Sequence, residues 1–225
     1  MSLGNKTLAE FFGSAMLLAT VVGSGIMGVN LSQGNDGVAL LANAAATAGI
    51  LYVLISTLAP ISGAHFNPAV SLVMRARGEL NNRELFLYLI AQVSGAVLGV
   101  LLAHAMFEQT LIQPGTRLRT GASQYLSEAV ATFGLLMVIL IATKQKSDRI
   151  PALVASYIFA AYWFTASTSF ANPAVTIARS LTQSFAGIRP DNVGGFIVAQ
   201  LFGAGLAYLL FRFGFSSSSS GSSAK

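Results

Sequence analysis

Two segments of the chain share one pattern, and this pattern decides the fold. Residues 62–78 read SGAHFNPAVSLVMRARG, and residues 167–183 read STSFANPAVTIARSLTQ. In each segment Asn-Pro-Ala precedes a short stretch whose residues suit a helix. Asn is a favoured N-cap, and Pro is tolerated at the first helical position because its missing N–H has no intrahelical partner there. Both segments are therefore predicted to form short helices that begin at Pro68 and Pro173.

The composition of the whole chain indicates a membrane protein. Of its 225 residues, 54% are hydrophobic and only 9% are charged, whereas soluble domains carry about 25% charged residues. The absence of cysteine excludes disulfides, thiolate metal sites and cysteine nucleophiles. The net charge of +5 is not gathered into a basic stripe, so we expect no nucleic-acid partner. The lipid bilayer is the expected surroundings.

Six apolar stretches are long enough to cross a bilayer, which takes about 20 mostly apolar residues in a helix. They cover residues 7–29, 38–60, 84–107, 122–143, 151–166 and 193–213. The two Asn-Pro-Ala segments are too short to span. The expected fold is therefore an all-α membrane protein of six transmembrane helices plus two half-helices. We expect a single domain over residues 1–215, followed by a disordered Ser-rich tail at 216–225.

Internal similarity divides the chain into two halves. Three landmarks recur in the same order, pairing Glu10 with Glu128, Asn67 with Asn172, and Gln92 with Gln200. Repeat one covers about residues 1–107 and repeat two about 122–213. Each repeat holds three spans, and an odd number inserts the second copy upside down. The sequence therefore predicts an inverted repeat.

The distribution of basic residues predicts the orientation. With cytoplasmic termini, the inner segments carry Lys6, Arg75, Arg77, Arg83, Lys144, Lys146, Arg149, Arg212 and Lys225. The outer segments then carry Arg117, Arg119, Arg179 and Arg189. This bias follows the positive-inside rule. We therefore expect a multi-pass protein of the cell (inner) membrane with both termini in the cytoplasm.

Two inverted half-helices would bring their N-termini face to face near the middle of the bilayer. Each N-terminus carries unsatisfied N–H groups and about half a positive charge, so the pair would repel cations. Asn67 and Asn172 would offer amide N–H donors to a passing neutral oxygen, since their own carbonyl oxygens serve the caps. The alternative is that each Asn-Pro-Ala is only a helix cap. Two copies at equivalent repeat positions favour a pore.

These motifs, together with the two glutamates and the two Ala-Gln-x-x-Gly segments, resemble the major intrinsic protein family of aquaporins and aquaglyceroporins. The resemblance implies one pore in each protomer of a homotetramer. It also implies passive flow of water and small neutral solutes, without catalysis, cofactor or metal. The pore motif residues it marks are Asn67, Pro68, Ala69, Asn172, Pro173 and Ala174.

The chain departs from that family at the outer filter. Water-selective members place an arginine directly after the second motif, where this chain has Val175. The family's spacing assigns the other filter positions to Thr47, Ala160 and Ser169. All four are small and uncharged, which predicts a wide pore for glycerol-type polyols and undissociated arsenous acid or similar metalloid hydroxides. In this respect the chain resembles bacterial arsenic-resistance-linked aquaglyceroporins.

Four further residues allow two interpretations each. Glu10 and Glu128 are either a proton relay or structural acceptors for backbone N–H groups; their symmetry favours the structural role. His65 either lines the pore or only packs. Arg179, one turn beyond Val175, either replaces the missing arginine or lies on the outer loop and reaches the headgroups; we favour the loop.

Other functions compete with a permissive channel. The first alternative is a water-selective aquaporin. An ion-coupled secondary transporter also uses inverted repeats and broken helices, but the spans offer it only the two symmetric glutamates as a coupling site. An enzyme is disfavoured because the chain has only two histidines and no convergent Ser, His and Asp set.

Overall fold

The computed structural model describes residues 1–215, and the tail predicted at 216–225 lies outside the described residues. In the described part the regular secondary structure is all helical, with no strand. The eight α-helices are α1 (Leu3–Leu31), α2 (Asp36–Ser62), α3 (Pro68–Ala76), α4 (Asn82–Met106), α5 (Ala122–Lys144), α6 (Ile150–Phe164), α7 (Pro173–Arg179) and α8 (Val193–Leu210). A 3₁₀ turn, Pro190–Asn192, precedes α8, and a π-helical turn, Phe211–Phe215, continues it.

The long helices agree with the predicted spans, of which the fifth is the shortest. Within the described residues, five helical stretches are long and apolar enough to cross a membrane: α1, α2, α4, α5 and the continuous stretch Pro190–Phe215. The fifth predicted span, residues 151–166, corresponds to α6, an apolar helix of 15 residues that is about 22 Å long at 1.5 Å per residue. It ends at Phe164, and an irregular buried segment leads from there to α7.

The two short helices begin where the sequence predicts. In α3 the cap is Asn67, whose Oδ1 accepts from the Ala69 N–H at 2.9 Å. In α7 the cap is Asn172, whose Oδ1 accepts from the Ala174 N–H at 2.9 Å. A proline occupies the first turn of both helices. The same local chemistry therefore starts both half-helices.

The packing of the helices repeats between the two halves of the chain. Helix α1 packs against α4 and α2, just as α5 packs against α8 and α6. Helix α3 contacts α4 of its own half and α8 of the other, while α7 contacts α8 and α4. Two further contacts between the halves, α2 with α6 and α3 with α7, join equivalent helices. This pattern is what an inverted repeat of two halves produces.

Glycine permits the closest helix contacts. A Cβ built on Gly95 of α4 would lie 2.2 Å from the carbonyl oxygen of Phe11 in α1. A Cβ on Gly203 of α8 would lie 2.1 Å from the carbonyl oxygen of Ala129 in α5. Any other residue would push these helices apart, so the glycines set the close approach within each half.

Two connections on the predicted outer side hydrogen-bond to each other. The Gly115 N–H donates to the Ser180 carbonyl at 2.8 Å, and the Arg189 N–H donates to the Arg117 carbonyl at 2.9 Å. The Ile188 N–H also donates to the carbonyl of Arg179 at 3.2 Å. These bonds anchor the chain around the C-terminal end of α7, where the filter residues were predicted.

Candidate pore

The two half-helices are tied together through their capping asparagines. Nδ2 of Asn67 donates to the carbonyl oxygen of Ala171 at 2.8 Å, and Nδ2 of Asn172 donates to that of Phe66 at 2.8 Å. A side-chain amide has two N–H donors, so each asparagine retains one beyond this bond. Both asparagines line the same cavity. The remaining N–H groups are therefore available to a solute oxygen there.

A cavity of about 460 Å³ passes both asparagines. The end predicted to face the cytoplasm, called the inner end, is lined by His65, Met74 and Asp148, and Thr47 and Arg179 lie at the other end. Most of its wall is apolar, with polar groups at intervals. Such a lining carries a solute past a few fixed hydrogen-bonding groups without holding it tightly.

Glu10 is buried, and both of its carboxylate oxygens accept hydrogen bonds, mainly from the irregular segment that leads into α3. Its carboxylate accepts from the backbone N–H groups of His65 at 3.0 Å and Phe66 at 2.7 Å. It also accepts from Oγ of Ser62 at 2.7 Å and from Nε2 of Gln92 at 2.8 Å. The backbone before α3 has no helical or strand partner, so this carboxylate supplies the acceptors that the membrane interior lacks.

Glu128 does the same for the segment that enters α7. It accepts from the N–H groups of Phe170 and Ala171, both at 2.9 Å, and from Nε2 of Gln200 at 2.6 Å. These bonds are the ones that the structural interpretation of both glutamates predicts. Neither glutamate lines the cavity, so a relay between them has no visible route along it.

Three of the four predicted filter residues, Thr47, Ser169 and Val175, line the cavity together. The assignment of Ala160 is wrong, because this residue is exposed on the outside of α6 and does not line the cavity. Tyr162 lines it instead, with its hydroxyl 3.2 Å from Oγ1 of Thr47. Two residues along a helix correspond to a rotation of about 200°, so a spacing error of two moves a side chain to the opposite face.

Arg179 also differs from the favoured interpretation. It is only 2% exposed and lines the cavity, so it neither lies on an outer loop surface nor reaches the headgroups. Its Nε donates to the carbonyl oxygen of Ala186, and its guanidinium carbon lies 3.4 Å from the centre of the Phe170 ring. The structure thus places an arginine beside the cavity, one helical turn beyond Val175.

His65 lines the cavity and packs at the same time. Nδ1 lies 3.0 Å from Oγ of Ser71, and the ring stands edge-on to Tyr88 at 5.4 Å between centroids. Both interpretations of this residue therefore hold. Within residues 1–215, no group of three or more His, Asp or Glu side chains is arranged to hold a metal ion.

The sequence reasoning missed Tyr162, Phe170 and Arg119. Arg119 is 6% exposed, and it donates from Nε to the carbonyl of Gly187 at 3.0 Å and from Nη1 to that of Ser167 at 2.8 Å. Counting helical faces back from the end of α6 would have found Tyr162. Nothing local marks Arg119, since its partners lie at least 48 residues away along the chain.

A bundle of apolar helices around a cavity flanked by two half-helices defines a membrane channel. A family model described as "Major intrinsic protein" matches residues 1–169. The chain is 51% identical to "Aquaglyceroporin AqpS" of Rhizobium meliloti (strain 1021) over 210 residues, which is 93% of this chain and 90% of that protein. It is also 28% identical to "Probable aquaporin TIP2-2" of Oryza sativa subsp. japonica, over 92% of this chain and 85% of that one.

The fold has a counterpart among solved structures. The X-ray structure of the aquaglyceroporin from Plasmodium falciparum superposes with a TM-score of 0.80, covering 96% of this chain and 98% of that one at 19% identity. The chain therefore belongs to the major intrinsic protein family. It is an integral, multi-pass membrane channel for water and small solutes and not an enzyme.

Proposed function

We propose that this channel passes small neutral hydroxylated solutes as well as water. The proposed solutes are glycerol-type polyols and undissociated arsenous acid or similar metalloid hydroxides. The observation that carries the proposal is the wall at the predicted filter, where the uncharged side chains of Thr47, Ser169 and Val175 line the cavity together. Uncharged side chains of this size leave room beside them for a solute larger than water.

The polar groups of the cavity suit a compact polyhydroxyl. Thr47 offers a hydroxyl that both donates and accepts, and Asn67 and Asn172 each offer an amide N–H. A neutral trihydroxide exchanges part of its hydration for these contacts, while the apolar wall leaves the remaining space free of competing charges. The 51% identity to a protein named aquaglyceroporin supports the same solute class.

The filter proposed from the structure consists of Thr47, Tyr162, Ser169 and Val175. Arg179 and the N-termini of the half-helices supply positive charge that opposes cations and protons along the same path. The presence of Tyr162 in place of the predicted Ala160 narrows the expected opening. This aromatic residue is the observation that favours the second candidate function, a water-selective aquaporin.

Flux measurements on one preparation distinguish the two functions. Purified protein in proteoliposomes is compared with empty vesicles for water, glycerol and arsenite by stopped-flow light scattering and direct uptake. We expect the fluxes of water, glycerol and arsenite to exceed those of empty vesicles. The glycerol and arsenite fluxes should rise linearly with concentration. Fast water with glycerol and arsenite at the level of empty vesicles would establish the water-selective alternative, and saturating flux would indicate a carrier.

The variant Val175→Arg sharpens this test. It adds a large cation at the position where water-selective members have one, and Val175 is already at the cavity wall. We expect glycerol and arsenite fluxes to fall at least about tenfold, a change in barrier of about 1.4 kcal/mol, while water flux falls less. Val175→Leu is the matched control, since it adds bulk without charge.

We also propose a homotetramer in the cell (inner) membrane with cytoplasmic termini, as the family resemblance and the distribution of basic residues suggest. The chain has no cysteine, so single cysteines report orientation cleanly. We expect Thr110→Cys to react with an impermeant maleimide on intact cells and Lys146→Cys to react only after lysis. Native mass spectrometry of the detergent-solubilised protein tests the tetramer, and a monomer that retains channel activity in vesicles would contradict it.

A further inference from the structure

Two buried guanidinium groups lie beside one phenylalanine ring at the outer end of the cavity, and no carboxylate of the described residues forms an ion pair with either. Arg179 is 2% exposed and Arg119 is 6% exposed. The ion pairs within residues 1–215 join Lys6 to Glu84, Arg77 to Glu79 and Arg189 to Asp191. A buried charge is costly unless it is paired. This pair of arginines therefore lacks the compensation that buried cations normally have.

The nearby acidic group is already occupied. Glu128 accepts from the backbone of Phe170, the residue whose ring lies beside both arginines. Its carboxylate also accepts from the N–H group of Ala171 and from Gln200. It holds the backbone before α7 and does not line the cavity. Arg119 and Arg179 carry two positive charges, and the one nearby carboxylate, Glu128, is already hydrogen-bonded to other groups. This end of the cavity is therefore positive.

The guanidinium of Arg179 is fixed in orientation. Its Nε donates to the carbonyl of Ala186, and its guanidinium carbon lies over the Phe170 ring, 3.4 Å from the ring centre. Within the described residues its two terminal nitrogens have no protein hydrogen-bond partner, although the side chain lines the cavity. A guanidinium presents such nitrogens as a rigid fork that matches two oxygens of a planar anion.

Arg119 adds to the positive charge near Arg179, although it does not line the cavity. Its guanidinium carbon lies 4.9 Å from the centre of the Phe170 ring, the ring on which Arg179 is stacked. Carbonyl oxygens of Gly187 and Ser167 hold it there. It therefore adds positive potential behind Arg179, and that potential is only weakly screened because the residue is buried.

The inner end of the cavity lacks such a group. The position equivalent to Arg179 in repeat one is Met74, which also lines the cavity. Glu79 and Asp148 line that end, and Glu79 is paired with Arg77. Among the described residues, the side chains that line this end therefore offer an anion no guanidinium.

We propose that the outer end of the pore binds a small planar monoanion, a carboxylate or an oxyanion of similar shape, on the terminal nitrogens of Arg179. The bound anion occupies the path beside Val175 and slows the flow of neutral molecules. The site makes the channel sensitive to anions on its outer side only. This proposal depends on water passage and not on the solute class proposed above.

Water permeability in oriented proteoliposomes tests the site, with nitrate as the probe. We expect external nitrate at about 50 mM to lower the permeability about twofold or more, since a two-point, charge-assisted contact in a wet site gives millimolar affinity. The chloride salt at the same ionic strength is the control for charge without planar shape. Nitrate trapped inside should have no effect. Equal inhibition by chloride, equal inhibition from both sides, or no inhibition would each overturn the proposal.

Two variants locate the effect on the arginine. Arg179→Met copies the residue of the inner half-helix and should abolish inhibition by nitrate relative to its own rate without nitrate. Arg117→Gln removes an exposed arginine of the same outer connection and should leave the inhibition unchanged. If Arg179→Met fails to fold, Arg179→Lys keeps the charge but not the fork, and should weaken the nitrate effect several-fold. Full inhibition in a folded Arg179 variant would contradict the assignment.

Discussion

The entrances to the two half-helices are built alike but differ where they face the cavity. At a spacing of 105 residues, Asn67 corresponds to Asn172 and Val70 to Val175. Their glutamates accept equivalent backbone N–H groups, from His65 and Phe66 in one half and from Phe170 and Ala171 in the other. His65 is replaced by Phe170, however, and Met74 by Arg179.

The shared positions are those that satisfy the backbone. Irregular chain inside a membrane needs acceptors and caps wherever it occurs, so both halves use a glutamate, a glutamine and an asparagine for that task. The differing side chains, His65, Met74 and Arg179, line the cavity, and Phe170 lies under Arg179. One scaffold therefore carries two chemically distinct ends: the predicted inner end has a histidine and acidic residues, and the predicted outer end has buried arginines.

Removing the buried carboxylates gives the largest expected effect. In Glu10→Leu, two backbone N–H groups, one hydroxyl and one amide lose their acceptor, and each unsatisfied group costs about 1–3 kcal/mol. Glu128→Leu removes the acceptor of three donors. We expect neither variant to give folded protein, as measured by yield and monodispersity after gel filtration in detergent.

Isosteric glutamine variants are expected to cause a smaller loss of stability, and they allow the two halves to be compared. Glu10→Gln and Glu128→Gln keep one acceptor oxygen each, and we expect Glu10→Gln to lower the melting temperature more because it leaves more donors unmet. Glu108→Gln, at an exposed acid, is the control. A stable Glu10→Leu variant would show that this carboxylate is not needed by the loop.

Enlarging the glycines at the helix crossings gives the next largest effect. Gly203→Val would force a Cβ to within 2.1 Å of the Ala129 carbonyl oxygen, and Gly99→Val to within 2.2 Å of that of Ala15. Backbone atoms cannot move aside cheaply, so we expect a loss of about 1–3 kcal/mol or more in each half. Thermal unfolding measures the loss.

The neighbouring Gly205 is the control for this prediction. A Cβ at this position meets no atom within 4 Å, so Gly205→Val should unfold at nearly the same temperature as the original chain. If Gly203→Val destabilised the protein and Gly99→Val did not, the close approach would be essential in only one of the two halves.

The capping asparagines give the smallest of these changes in stability. Loss of a cap costs about 0.5–2 kcal/mol, and Asn172→Ala removes the acceptor of two N–H groups, those of Ala174 and Val175. Asn67→Ala removes the acceptor of one, that of Ala69. Each variant also loses one bond to the opposite half. We expect both to unfold at lower temperature, Asn172→Ala more so, with the exposed Asn5→Ala as control.

If Asn67→Ala lowered the unfolding temperature more than Asn172→Ala, the number of capped N–H groups would not set the stability loss. The hydrogen bonds between the two halves would then contribute more to stability than the caps. Equal melting temperatures for Asn67→Ala, Asn172→Ala and the control Asn5→Ala would show that neither capping asparagine stabilises the protein. Water flux through the surviving variants would then show whether the asparagine amides act on the solute alone.

The parts of the site that depend on neighbours in sequence were predicted well. The starts of α3 and α7 follow from Asn67 with Pro68 and from Asn172 with Pro173, because a cap and a first-turn proline act within a few residues. The predictions failed at Ala160 and at the favoured interpretation of Arg179. One assumed a loop length, and the other assumed that a charged residue near a helix end would reach water or headgroups.

The sequence by itself determined a membrane bundle with two inverted halves and two capped half-helices, because hydropathy, capping and internal repetition are local properties of the chain. Only the tertiary structure decided which side chains face the cavity at its outer end. Tyr162 meets Thr47 across 115 residues of sequence, and the two outer connections bury Arg119 and Arg179 around one phenylalanine ring. Such contacts depend on how helices rotate and loops close, and a shift of two residues in a helix turns a pore residue toward the lipid.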